Sequence, residues 1–332
     1  MKITKTLAST VAAIALAAGI AAPASAADEI TVAYFLEWPM PFEYAKQMGT
    51  YEKEMGVKIN WVSFESGVKM SAAMASGDVQ LSVSQGVPPF VVAASAGQDL
   101  QVLDVAVSYA ENDNCVVASA LEIDKTNAGE LAGKKVGVPL GTAAHYGFLK
   151  QMDHFGVSLD SMNIVDMDPT DGAAAFAQGS IDMFCGWGGA LRRAKEFGNV
   201  LLTGAEKEDL GILVFDVTSG PADWVAQNPE LVSTFLKVTA DANAMWANEA
   251  NHAKMLPVIA KDAGMDAQAT ADTMATFVFP TVEEQLSAKW LGGGAQSFMK
   301  GVADVFVAAG SIPSALDSYD AAVNTGPLAA AK

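Results

Sequence analysis

Short apolar runs alternate with stretches of helical spacing through the first two thirds of the chain, and this order constrains the fold more than any other feature. Residues 30–35, 58–64, 80–83, 100–107, 135–139, 164–167, 183–187, 200–202 and 212–218 read as strands, with Cys115-Val116-Val117 as a further strand-like run. Residues 66–76, 142–155 and 171–178 between them read as helices. Parallel strands need a crossover, usually helical, so the pattern predicts an α/β chain whose parallel sheets carry helices on both faces. Beyond Pro221 the character changes: 229–248, 253–263, 267–276 and 296–309 are all helix-like, and 326–332 reads as a loose tail. Two α/β lobes are expected, with the C-terminal helices returning to cover the first. The polar stretch 108–114 is the expected crossing into the second lobe and 218–221 the expected return. That division gives lobe I as 27–113 plus 219–332 and lobe II as 114–218, able to close about a hinge of two crossings.

Composition narrows the function. Of 332 residues, 51% are hydrophobic and 17% charged, enough to bury a large core and too apolar for disorder. A net charge of −18 offers no positive face for nucleic acid or an anionic membrane. Three histidines and two cysteines exclude a His-rich metal site and a disulfide framework. There is no G-x-S-x-G elbow and no HExxH, and Gly292-Gly293-Gly294 follows Trp290-Leu291 rather than opening a helix after a strand. A secreted enzyme is therefore disfavoured, and no cofactor or metal is expected. Residues 1–26 have the basic start, apolar middle and Ala24-Ser25-Ala26 end of a cleaved secretory signal, so the mature chain is expected in the periplasm. An oxidising compartment permits a Cys115–Cys185 bridge; two buried, separate thiols are the equal alternative.

The candidate chemistry sits at strand ends. At Pro139-Leu140-Gly141-Thr142-Ala143-Ala144-His145 a strand gives way through glycine to a helix, whose first turn presents unpaired N–H groups and a partial positive charge. Such a terminus holds an anion without a basic side chain, although Thr142 is equally at home as an ordinary cap. Ser84-Gln85-Gly86-Val87-Pro88-Pro89 is a second loop of this kind. Facing loops, one from each lobe, would grip a small ligand outside the carboxyl ends of the strands. Trp38 and Trp187 lie at other strand ends and offer faces to a cation. Asp216 stands in the apolar run 212–217, where a carboxylate needs a partner unless the strand is an edge facing solvent. Glu37 is a weaker candidate of the same type, and His145 either points into the cleft or packs beneath it.

From Thr31 to about Ala309 the chain resembles the periplasmic substrate-binding proteins of the nitrate/sulfonate/taurine class of ABC importers. The resemblance is carried by Phe64-Glu65-Ser66-Gly67, Ala75-Ser76-Gly77-Asp78-Val79-Gln80, Gly133-Lys134-Lys135-Val136-Gly137-Val138-Pro139, Thr142-Ala143-Ala144-His145-Tyr146, Gly179-Ser180-Ile181-Asp182 and Asp216-Val217. It implies a two-lobed, type II binding-protein fold that captures taurine or a related small aminosulfonate and, acting as a monomer, delivers it to an inner-membrane permease. By the same resemblance Gln85, Gly86 and Val87 belong to the first-lobe ligand loop. Thr142, Ala143 and His145 would hold the sulfonate, Trp187 would form an aromatic wall and Asp216 would hold the ammonium. Gly188-Gly189 after Trp187, and the stretch Phe35-Leu36-Glu37-Trp38-Pro39, depart from the family pattern and border the pocket. An alkanesulfonate, a thiamine-precursor pyrimidine and a methylated zwitterion therefore stay open as ligands.

Overall fold

A computed structural model describes residues 29–331; the signal-like segment 1–26 lies outside the described residues. Eleven strands occur among them: β1 (Glu29–Tyr34), β2 (Lys58–Ser63), β3 (Leu81–Gly86), β4 (Leu100–Val102), β5 (Val107–Ser108), β6 (Asp113–Ala118), β7 (Lys135–Val138), β8 (Asn163–Asp166), β9 (Met183–Trp187), β10 (Gly198–Val200) and β11 (Phe215–Pro221). They form two sheets, ordered β2-β1-β3-β11-β4 (with β5 also on β11) and β10-β6-β9-β7-β8. Each sheet is packed by helices of its own half. The run 100–107, expected as one strand, is two short ones.

Neither sheet is purely parallel. β1 pairs β2 and β3 in parallel, and β7 pairs β8 and β9 in parallel, as the helical crossovers require. The strands next to the passages between halves run the other way: β11 is antiparallel to β3 and β4, and β6 to β9 and β10. A strand arriving from the other half enters its new sheet from the cleft side, which reverses its direction. The chain has rejoined the first sheet by Phe215, so the return passage lies upstream of Thr218, between β10 and β11.

Local chemistry sets the elements that meet at the cleft. Helix Gly67–Ala75 starts where the Ser66 hydroxyl accepts the Lys69 N–H. Helix Ala143–Phe155 is capped by Thr142 and stopped by Gly156, whose φ of 66° suits glycine. Its inner face buries Tyr146, Phe148, Leu149 and Met152. Helix Gly294–Ala308, from the far C-terminal region, packs against both Ala143–Phe155 and Val87–Ser95, closing the back of the molecule. Residues 326–330, expected as part of a loose tail, instead form a helix that buries Pro327 and Leu328, and the Asn324 N–H donates to Val102 C=O at 2.9 Å just before it. Two buried apolar side chains and a backbone bond to β4 are what dock it.

Cys115 and Cys185 face each other in the β6–β9 register and are joined by a disulfide. The bridge clamps the two central strands that run to the cleft, ending at Asp113 and Trp187. Across the cleft mouth, the Arg193 guanidinium donates to both Glu37 carboxylate oxygens, at 2.7 and 3.0 Å. On another side Lys69 Nζ meets Asp168 at 2.8 Å. Glu37 and Lys69 belong to the first half, Arg193 and Asp168 to the second. Two glycines make the first pair possible: a Cβ on Gly189 would lie 2.5 Å from a Glu37 carboxylate oxygen, and one on Gly188 3.0 Å from the Glu37 carbonyl oxygen.

Two measurements check these links. Replacing both cysteines by alanine should lower the unfolding free energy by about 2–4 kcal/mol in denaturant titrations, since the bridge closes a long loop; an unchanged midpoint would show that it adds nothing. Half-exposed ion pairs are worth about 0–1 kcal/mol each. The double substitution Glu37→Gln, Lys69→Met should therefore shift the open-to-closed ratio toward open by up to about thirtyfold, seen as a larger radius of gyration in X-ray scattering. An unaltered scattering curve would deny the two pairs any part in closure.

Candidate functional site

Between the two sheets lies a narrow crevice of about 20 Å³. This is far below the ~300–1,000 Å³ usual for ligand pockets. Its first-half wall comes from Trp38, Gly67, Gly86, Pro89 and Asp216, with Phe35 at the rim and Tyr109 at the passage between halves. The second half contributes Thr142, Ala143 and Trp187. Trp38, Gly86, Thr142, Ala143, Trp187 and Asp216, singled out from sequence, are thus brought to one place.

Asp216 is the chemical centre of this wall. β11 lies between β3 and β4/β5, with Asp216 opposite Gly86 on one side and Val107 on the other, so the strand is central and the solvent-facing alternative does not apply. The carboxylate is 2% exposed. Ser84 Oγ donates to one oxygen at 2.6 Å and the Tyr109 hydroxyl donates to the other. Ser84 in turn accepts the Trp38 indole N–H at 2.8 Å. Burial pushes the Asp216 pKa up to about 8; the two hydroxyl donors pull against it, and the nearby Asp113 charge adds to it. Gly86 has no side chain to cover the carboxylate: a Cβ there would sit 3.5 Å from Asp216 Oδ1.

The opposite wall is the first turn of helix Ala143–Phe155. Thr142 Oγ1 donates to Pro139 C=O at 2.6 Å and accepts from His145 N–H, so the hydroxyl is spent on the turn itself. The N–H groups of Ala143 and Ala144, in the first turn, have no intrahelical carbonyl to bond and fall at the positive end of the helix dipole. No lysine or arginine lines the crevice. The helix Val87–Ser95 contributes less: Pro88 and Pro89 occupy its first turn and lack N–H groups, leaving Val87 as the one early donor.

Four expected site residues are placed elsewhere. The Gln85 side chain turns away from the crevice, its amide donating to Gly67 C=O at 2.8 Å and to Ser71 while its oxygen accepts from Ser219; it ties the loop to the first half. Val87 is fully buried and does not line the crevice. His145 packs beneath: Nδ1 accepts the Gly141 N–H at 3.1 Å and the ring stacks on Phe306 with centroids 5.3 Å apart. Burial pushes its pKa down to about 4, so it stays neutral at physiological pH. The Glu37 carboxylate is tied to Arg193 in a larger outer chamber, which also holds Lys69 and Phe64 and shares Phe35 and Trp187 with the crevice.

Phe35, Gly67, Pro89 and Tyr109 join the site without having been foreseen as ligand residues. Gly67 carries a signal in hindsight: it opens a helix right after a cap, and a Cβ on it would lie 2.6 Å from Pro89 Cγ. Tyr109 is an aromatic residue in an otherwise polar crossing, which is the only hint it offers. Among the described residues no group of His, Cys, Asp and Glu is arranged to hold a metal ion, and no helix is long and apolar enough to cross a membrane.

This architecture and sequence have known relatives. Residues 40–253 match the family described as NMT1/THI5 like. The taurine-binding periplasmic protein of Escherichia coli K12 is 31% identical over 216 residues, 65% of this chain and 66% of that protein. A putative aliphatic sulfonates-binding protein of the same organism is 27% identical, covering 64% and 65%. The chain thus spans just under two thirds of the length of these curated relatives. The alkanesulfonate-binding protein SsuA of Xanthomonas axonopodis pv. citri, solved bound to MOPS, superposes with a TM-score of 0.75 at 22% identity, covering 91% of this chain and 100% of that one. The desulfurization enzyme DszB does so at 0.61 and 14%, covering 91% and 98%. The structural likenesses establish the two-lobed binding-protein fold, and the sequence match, running from Met40 past Asp216, shows that the chain belongs to the NMT1/THI5-like family.

Proposed function

We propose that the chain is the substrate-binding component of an ABC importer, capturing taurine or a related small aminosulfonate and handing it to an inner-membrane permease. It would act in the periplasm as a monomer, after removal of residues 1–26. Its lobes would be built on the sheet of β1–β5 with β11 and on the sheet of β6–β10. The observation that carries this reading is the opposition of unlike ends across one crevice: a buried carboxylate, Asp216, and the start of helix Ala143–Phe155, at Thr142 and Ala143, line the same space. A zwitterion a few atoms long satisfies both. Its oxyanion is held by peptide dipoles, which a chain of net charge −18 needs in place of basic side chains. Its ammonium neutralises a charge that is costly to leave buried alone. Nitrate has nothing to offer Asp216.

A binding role is favoured over catalysis although an enzyme shares the fold. Both cysteines are bonded to each other, so no thiol is free to act as a nucleophile, and His145 has its ring buried against Phe306, away from the crevice. The relatives matched in sequence are named as binding proteins.

Calorimetry with taurine and its hydroxyl analogue isethionate tests the assignment. Asp216→Asn should weaken taurine by about 100-fold, the scale of breaking a buried charge pair, and change isethionate less than about threefold. Equal losses would refute the role of Asp216, and absence of binding by any sulfonate would refute the ligand class. The pH dependence has a definite sign. With a ligand-free pKa of about 8, Asp216 must shed a proton before it can pair with an ammonium at lower pH. Taurine affinity should therefore rise about tenfold per pH unit from pH 6 toward 8, while isethionate affinity stays flat.

A further inference from the structure

We infer that the cationic end of the ligand is a methylated, quaternary ammonium, because the crevice is an aromatic cage around a buried acid that already accepts two hydrogen bonds from the protein. This rests on the aminosulfonate reading above and refines it. Four aromatic side chains, Phe35, Trp38, Tyr109 and Trp187, line the same small space as Asp216. Trp38 and Tyr109 meet edge to face with centroids 4.6 Å apart, and Phe277 backs Trp38 at 4.7 Å, fixing its plane. Phe35 and Trp187 lie 6.2 Å apart, inclined at 58°, and separate the crevice from the outer chamber. Ring faces attract cations, and methylated ammonium groups, being weakly hydrated, profit most.

The hydrogen-bond inventory points the same way. A primary ammonium brings three N–H donors, each needing an acceptor once buried. In this crevice each Asp216 oxygen already accepts one hydrogen bond from the protein, from Ser84 on one and Tyr109 on the other, which leaves the acid two acceptor sites for three donors. The Ser84 hydroxyl is donated to Asp216, and it also accepts from Trp38. Thr142 is occupied by Pro139 and His145, and no other acidic side chain lines the space. A trimethylated nitrogen carries no donor and asks only for negative charge at a distance and polarisable walls, which are what is present. Ser84 shows that this arrangement is held against cost: it adopts φ 73°, a left-handed conformation rare outside glycine, and so brings its hydroxyl onto the carboxylate.

The experiment is calorimetry of the wild-type protein with taurine, its N,N,N-trimethyl derivative, isethionate and glycine betaine, then the first two with Trp187→Leu. The trimethyl derivative should bind at least about tenfold tighter than taurine. In the half-buried Trp187→Leu variant that preference, read as the ratio of the two affinities, should fall to about threefold or less. Taurine binding as tightly as its trimethyl derivative overturns the inference and leaves the aminosulfonate reading intact. Glycine betaine exceeding every sulfonate overturns the sulfonate end while supporting the cage. Isethionate binding best of all overturns both.

Discussion

The carboxylate of Asp216, buried in the middle of a sheet, is the constraint on which the remaining structure of the site depends. A lone charge in that position is expensive, and the surroundings are organised to make it tolerable. Two hydroxyls, from a strained Ser84 and from Tyr109 at the passage between halves, donate to it, and an indole steadies the first of them. These groups come from three separate segments of chain, so holding the acid also fixes the β3 loop, the crossing and the Trp38 loop relative to each other. What they leave unbalanced is charge, and the open side of that charge faces the crevice.

The two ends of the cleft use electrostatics differently. At the rim, half-exposed side chains pair across the halves, Glu37 with Arg193 and Lys69 with Asp168, where water screens them and exchange is easy. Inside, fixed peptide dipoles and one carboxylate act in a dry space where each is worth more. Such a division suits a molecule that must close firmly on a ligand and yet reopen. The Cys115–Cys185 bridge lies in the rigid part of this scheme, fastening the strands that carry Asp113 and Trp187 to the cleft.

The α/β alternation and the helix starts were readable because both are local: a strand, a glycine and a capping Thr142 announce an exposed helix terminus wherever the fold puts it. Asp216 was readable for a related reason, as a charge in an apolar run is anomalous on any strand. Gln85 and His145 lie in the right loops, but a loop's position does not tell which way each side chain turns. Gln85 was claimed by Gly67 and Ser71, and His145 by Phe306 from the distant C-terminal helix. Glu37 was recognised as unusual, and its partner proved to be Arg193, more than 150 residues away, rather than a ligand. The terminal segment looked loose for want of a long pattern, yet two buried side chains suffice to dock it.

From its sequence alone this protein determined its class of fold, the two loops that end at the cleft and the acid in the strand, since periodicity, caps and a misplaced charge are properties of neighbouring residues. Only the tertiary structure decided that Phe35, Pro89 and Tyr109 join that acid, that the cysteines bond, and that Gln85, Val87 and His145 serve the scaffold. Those outcomes depend on which distant segments are brought within a few ångströms of each other, and packing of the whole chain sets those distances.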